Sequence, residues 1–189
     1  MGERRVSPSL TMSTPADQTP TPPLPGQFVL KTAPLPGVAT SRYTGRYLRQ
    51  NNLANPAVMV MSEPPKYLRG NFANEAAQAG VKFTSWLPKH ADRFWGAVLR
   101  SEGAGKAGWE RVEIAEDEVE QKLGIVQQRG IESMEVMEVL DGSDIEDWTG
   151  WIVCEWSLGH PQLFWTTKAL QEPLPDFCER VIIMREMLA

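Results

Sequence analysis

Trp151-Ile-Val-Cys-Glu-Trp-Ser157 and Leu163-Phe-Trp-Thr-Thr-Lys-Ala-Leu170 are the two stretches on which the fold turns. Both are rich in β-branched and aromatic residues, and a short segment containing Gly159 and Pro161 separates them. That pattern predicts an antiparallel hairpin. Trp151 and Trp156 stand five positions apart, so they point to opposite faces of their strand. One face packs into the body of the protein. The other presents indole, which calls for a second layer or a partner. All seven tryptophans fall at or after Trp86, and Trp148, Trp151, Trp156 and Trp165 lie in or beside this hairpin.

Downstream, Pro175-Asp176 reads as the opening of a final helix with Phe177, Val181, Met184 and Leu188 on one stripe. Upstream, residues 131–140 carry two signatures. Glu132, Glu135 and Glu138 recur every third residue, whereas Val136 and Val139 sit between Gly130 and Asp141-Gly142. The strand reading is preferred. Glu116 to Gln128 has Val119, Leu123 and Val126 at helical spacing, with Glu118 and Lys122 one turn apart. Trp109 to Ile114 alternates as a strand does. A helix is expected from Pro88 to about Ser101, with Ala91, Phe94, Trp95 and Val98 on one face, and a shorter one from Asn71 to Ala79, stopped by Gly80. Ala57 to Ser62 reads as a buried strand, and Gln27 to Lys31 as a short one. The expected fold is therefore α+β: one antiparallel sheet with helices packed on one of its faces.

Eight of the 15 prolines lie in the first 40 residues. The tract Thr19-Pro-Thr-Pro-Pro-Leu-Pro-Gly26 lacks donors and apolar periodicity, so residues 1–26 read as a disordered, solubilising Pro-rich tail. Residues 27–189 then form one domain. The hydrophobic share of 42% and charged share of 23% suit a globular chain and exclude fibrous or wholly disordered classes. No apolar run reaches the roughly 18–20 residues that a bilayer span needs. The first residues lack the apolar core of a secretory signal, and Val6 breaks the myristoylation pattern.

Cys154 and Cys178 are too few for a disulfide framework, and the expectation is two thiols in a reducing cytoplasm. Cys154 reads as core. Cys178, at the head of the expected helix, sketches a nucleophile with His160 as base and Asp176 orienting it. Neither an elbow nor an oxyanion signature accompanies it. His90 lies far from His160 and no metal-ligand spacing occurs, so no metal and no cofactor is expected. Gly103-Ala-Gly105-Lys-Ala-Gly108 satisfies a dinucleotide fingerprint literally, but its context of helix, glycines and strand reads as a connector. Asp141, Asp144, Glu146 and Asp147 read as a solvated acidic turn.

The net charge of -5 hides a division. Residues 1–108 hold 13 Lys+Arg against 6 Asp+Glu, a balance of +7, and residues 109–189 hold 6 against 18, a balance of -12. The domain thus has a basic part (27–108) and an acidic part (109–189). All three tyrosines sit beside a base: Arg42-Tyr43, Arg46-Tyr47 and Lys66-Tyr67. Arginine grips phosphate, and a tyrosine face stacks on an unpaired base for about 1–3 kcal/mol. On a helix ended by Asn51-Asn52, Arg42, Arg46 and Arg49 would share one face. The first functional expectation is a non-enzymatic protein binding nucleic acid, single-stranded in form. Arg42, Arg46, Arg49, Lys66 and Arg69 would hold phosphates while Tyr43, Tyr47 and Tyr67 stack. The alternative is a protein-interaction module (adaptor, inhibitor or immunity-like) using the acidic, Trp-rich half. It would take a basic partner through Glu116, Asp117 and Glu118, or self-associate through the open sheet face. A Cys178-dependent enzyme is the third. On the remaining view, the two charged parts simply neutralise each other within the fold.

Overall fold

The computed structural model describes residues 26–50, 57–60, 69–71, 80–84, 94–100, 108–128, 130–131, 133–140, 145, 147–155 and 159–188. Every regular element among them is a β-strand: β1 (Gln27–Ala33), β2 (Tyr47–Gln50), β3 (Ala57–Val60), β4 (Arg69–Asn71), β5 (Lys82–Thr84), β6 (Phe94–Leu99), β7 (Trp109–Glu116), β8 (Leu123–Gln127), β9 (Glu135–Val139), β10 (Trp148–Glu155), β11 (Pro161–Thr167) and β12 (Cys178–Met187). No helix occurs among the described residues, so the α+β expectation is corrected to an all-β fold. The hairpin expected from the tryptophan-rich stretches is β10–β11, in register from Trp151 opposite Trp165 to Glu155 opposite Pro161. The strands expected at 27–31, 57–62, 109–114 and 131–140 are present as β1, β3, β7 and β9.

Three expected helices hold strands and no helix where they are described. Phe94–Leu99 of the Pro88 helix is β6, Leu123–Gln127 of the Glu116 helix is β8, and the C-terminal helix is β12. The cause is common to all three. Their apolar positions are short runs that satisfy a helical stripe, but both faces of each run are in fact covered. In β12, Val181 and Ile183 enter the main core while Ile182 and Met184 join a cluster on the opposite face. A two-sided run needs a sheet, because a helix stripe buries one face only. The Asn71–Ala79 helix lies outside the described residues apart from Asn71, which ends β4.

All pairings are antiparallel. They lead from β1 through β4, β5, β6, β7, β11, β10 and β12, and β12 meets β1 again along Phe28–Ala33. The sheet is thus strongly curled, with β2–β3 bridging β1 to β11 and β9–β8 leaving β12 as a branch. Inside the curl lies one apolar core, with Phe28, Leu30, Tyr43, Phe83, Trp95 and Trp151 among its members. Trp151 donates its indole N–H to the carbonyl of Met137 at 2.8 Å, so even the polar edge of this ring is satisfied.

A close approach dictates one glycine. After β7 the chain turns at Asp117, whose φ of 56° is left-handed, and lies back over β6. Asp117 donates its N–H to Phe94 and Glu120 to Ala97. A Cβ on Gly96 would stand 2.1 Å from the carbonyl oxygen of Glu118, so no larger residue fits beneath this segment.

Candidate functional site

Between β1 and β2 the chain makes a tight turn that places the first arginine–tyrosine pair. Thr32 organises it. Its amide donates to the carbonyl of Arg46 at 2.8 Å, its carbonyl accepts from Gly45 at 2.9 Å, and its hydroxyl donates to the carbonyl of Tyr43. The expected helix over Arg42–Arg49 is thereby corrected to a turn (Arg42–Gly45) followed by β2. Gly45, with φ of 74°, meets a conformation that a helix would not contain.

Tyr43 is fully buried, and its hydroxyl donates to the carbonyl of Phe177 at 2.7 Å. The guanidiniums of Arg42 and Arg46 lie over its ring at 5.1 and 5.2 Å. Burial raises its hydroxyl pKa above the ordinary value, against a smaller lowering by Arg42. Its ring presents no face to an incoming base. Arg42 pairs with Glu179 at 2.7 Å and donates to the carbonyl of Asp176. Glu179 also accepts from the hydroxyl of Ser41 at 2.5 Å and the amide of Arg42 at 3.0 Å. Tyr47 is half-buried. Its hydroxyl donates to Glu186 at 3.2 Å, and Lys31, itself paired with Glu186, lies 5.9 Å from the centre of its ring. Arg46 and Arg49 have no ion-pair partner among the described residues. Lys66 and Tyr67 fall outside those residues, and Arg69 is described only as backbone in β4. The structure therefore brings Arg42, Tyr43, Arg46 and Tyr47 together near β12, with Tyr43 in the core and Arg42 closed by Glu179, while Arg49 lies farther along β2 opposite Val58 of β3.

The charge division resolves into pairs that join the two parts. Lys31–Glu186, Arg42–Glu179 and Arg100–Glu113 and –Glu118 each link a base before residue 109 to an acid after it. Arg100 is the most engaged. It donates through Nε to Glu113 at 2.6 Å and as a fork to both oxygens of Glu118 at 2.8 and 2.9 Å. Arg111 approaches the other oxygen of the buried Glu113 at 3.0 Å. The hydrogen bonds to Glu118 first, and to Glu113 second, raise the Arg100 pKa beyond its ordinary value, and the same bonds lower that of Glu118. The expected Glu118–Lys122 pair is replaced by this contact, since Glu118 sits in a connection between β7 and β8 rather than in a helix.

Cys178 is bonded to Cys154 with an S–S distance of 2.06 Å, because β10 and β12 place the two directly opposite each other. This corrects the expectation of two thiols and removes the nucleophile sketched with exposed His160 and Asp176. The spacing of 24 residues carried no signal for the bond; only strand pairing creates it.

Sequence reasoning missed the outer face of β1, β12, β9 and β8. Ala33, Val136 and Ile182 are buried there, and Leu35, Val126, Met134 and Met184 pack against them half-buried. Val38 and Met187, both 49% exposed, are further large apolar side chains open to solvent. The alternation in β12 was the available signal, hidden by the helical reading of the same run. β8 stands at the end of the strand order, and residues 124–126 have no second strand neighbour among the described residues. Among those residues, no group of three His, Cys, Asp or Glu could hold a metal ion, and no helix is long and apolar enough to cross a membrane. Of the acidic turn at 141–147, only Ile145 and Asp147 are described, and the glycine-rich connector lies outside apart from Gly108.

The chain belongs to the family described as a domain of unknown function (DUF7907), which matches residues 25–187. No curated protein and no solved structure matches it.

Proposed function

We propose that this protein is a binding module that recognises an extended apolar segment of another protein, taken up along β8. The observation that supports this is the apolar cluster beside the terminal strand, in which Val126, Met134 and Met184 are half-buried around the buried Val136. A strand edge supplies backbone groups for pairing, and alternate apolar side chains of the incoming segment would rest on the cluster. Methionine suits such a surface because its unbranched side chain repacks around different partners. Charge does not lead this recognition, since the acids and bases of the two parts engage one another. Cytoplasmic residence rested on two separate thiols, a premise that the Cys154–Cys178 bond withdraws.

Selection from a displayed library of random peptides tests the proposal. Enriched peptides are expected to alternate apolar residues and to slow amide exchange at Ile125, whose backbone groups point away from β9. Val126→Lys is expected to weaken them tenfold or more. Absence of enrichment, or protection confined to another part of the sheet, overturns the reading.

Nucleic-acid binding is the second reading, supported by Arg46 and Arg49, the two bases of the expected set that no carboxylate closes among the described residues. Single-stranded oligonucleotides at low salt test it. Affinity should fall steeply with salt and be lost in Arg46→Ala/Arg49→Ala. An unchanged affinity in that variant, or no binding at all, removes it.

A further inference from the structure

Cys154 and Cys178 are 0% and 5% exposed, and no free cysteine accompanies them. They lie on the outer face of the curled sheet, in a cluster with Ile152 that Trp109, Phe164 and Leu174 cover. Leu174 belongs to the strap of residues 168–177 that joins β11 to β12. The strap is held from several sides. Arg180 pairs with Glu172 at 2.9 Å, Cys178 donates its amide to Pro175 at 2.8 Å, and the carbonyl of Phe177 accepts from both Tyr43 and Glu155. β12, which starts at Cys178, is the strand on which the curl closes, since it pairs with β10, β1 and β9.

We propose that Cys154–Cys178 is a structural disulfide of the mature protein, formed in an oxidising compartment before the strap seats over it, and that it latches the closing strand to β10. Disulfides persist where the surroundings oxidise thiols and are rare where glutathione keeps them reduced. The step is thiol–disulfide exchange with a low-molecular-weight or oxidoreductase disulfide. Cys154 and Cys178 thiols lose two electrons and two protons, one S–S bond forms between them, and the oxidant's S–S bond breaks to give two thiols. Attack needs an accessible thiolate in line with a sulfur. Buried in the cluster that Leu174 of the strap packs against, neither sulfur offers one, so exchange takes place before the strap closes and the finished bond is shielded from reductant afterwards. The bond ties ends 24 residues apart and restricts the unfolded chain accordingly.

The test uses the full chain recovered from its source with thiols blocked at harvest. Intact mass is expected to show no alkyl adduct, and two adducts only after reduction in denaturant. Millimolar reduced glutathione should leave the folded protein unmodified over hours. Two adducts at harvest, or rapid reduction of the folded protein, overturns the proposal. Refolding from the reduced, unfolded chain should gain yield from oxidised glutathione, and Cys154→Ala/Cys178→Ala should lose that dependence and melt about 5–10 °C lower. A double variant that melts with the parent overturns the latch. Should the variant not fold, the harvest and glutathione measurements decide the matter on the parent protein alone.

Discussion

The inner and outer faces of the curled sheet are built from the same strands but do different work. Along β10, Trp151 and Val153 face inward while Ile152 and Cys154 face outward; along β12, Val181 and Ile183 alternate with Ile182 and Met184 in the same way. The inner face is one continuous apolar core, in which even Tyr43 and the indole of Trp151 have hydrogen-bond partners. The outer face is divided. It carries a cystine under its strap, a small apolar cluster beside β8, and ion pairs that draw the basic and acidic parts together. Stability is concentrated inside because removing apolar area from water is roughly additive. The outer face keeps side chains such as Val126, Met134 and Met184 only half-buried.

The comparison breaks first if an inner aromatic proves dispensable. Trp151→Ala removes a ring that is 3% exposed, its bond to Met137, and its edge contact with Trp148 at 6.0 Å between ring centres. A loss of about 3–5 kcal/mol is expected in denaturant unfolding. A loss below about 1 kcal/mol would mean that the inner face does not carry the fold.

Next in size is the outer network. Arg100→Ala leaves the buried carboxylate of Glu113 with Arg111 as its remaining cationic partner, and a loss of about 2–3 kcal/mol is expected by the same measurement. Arg100→Lys should recover only part of it, because an ammonium cannot fork between two carboxylates. Equal stability of the alanine and parent proteins would reduce the network to decoration.

The smallest effect is the pH dependence at Glu118. Its folded-state pKa lies below the ordinary 4.5, so it contributes stability that is present above that pH and lost as pH falls through the folded value. The side chain is 49% exposed, so the effect should stay under about 1 kcal/mol. Glu118→Gln is expected to lower stability near neutrality by that small amount and to converge with the parent in acid, so that the acid limb is slightly flatter. A steep acid limb that survives the substitution would assign the acid sensitivity elsewhere.

How much was legible varies with the kind of pattern. The β10–β11 hairpin was readable because two aromatic, β-branched runs flank a Gly and a Pro at turn distance. β6, β8 and β12 were not, because apolar runs of five to ten residues fit a helical stripe and a two-sided strand alike, and only the neighbours that cover both faces decide. The arginine–tyrosine pairs were located in sequence, but the burial of Tyr43 was not. Proximity to bases marks Tyr43 equally for a surface or for a core, and its bond to Phe177, 134 residues away, settles which.

From sequence alone came the hairpin and the division into +7 and -12 parts. These depend on local composition and short-range spacing, which the chain carries wherever it folds. The tertiary structure alone decided that the sheet curls until β12 meets β1, that Cys154 lies opposite Cys178, and that Arg42 and Arg100 meet acids from the other part. Each of those is a meeting of residues distant in sequence. Antiparallel registers determine such meetings, and a register is a property of two strands at once, so neither strand's sequence contains it.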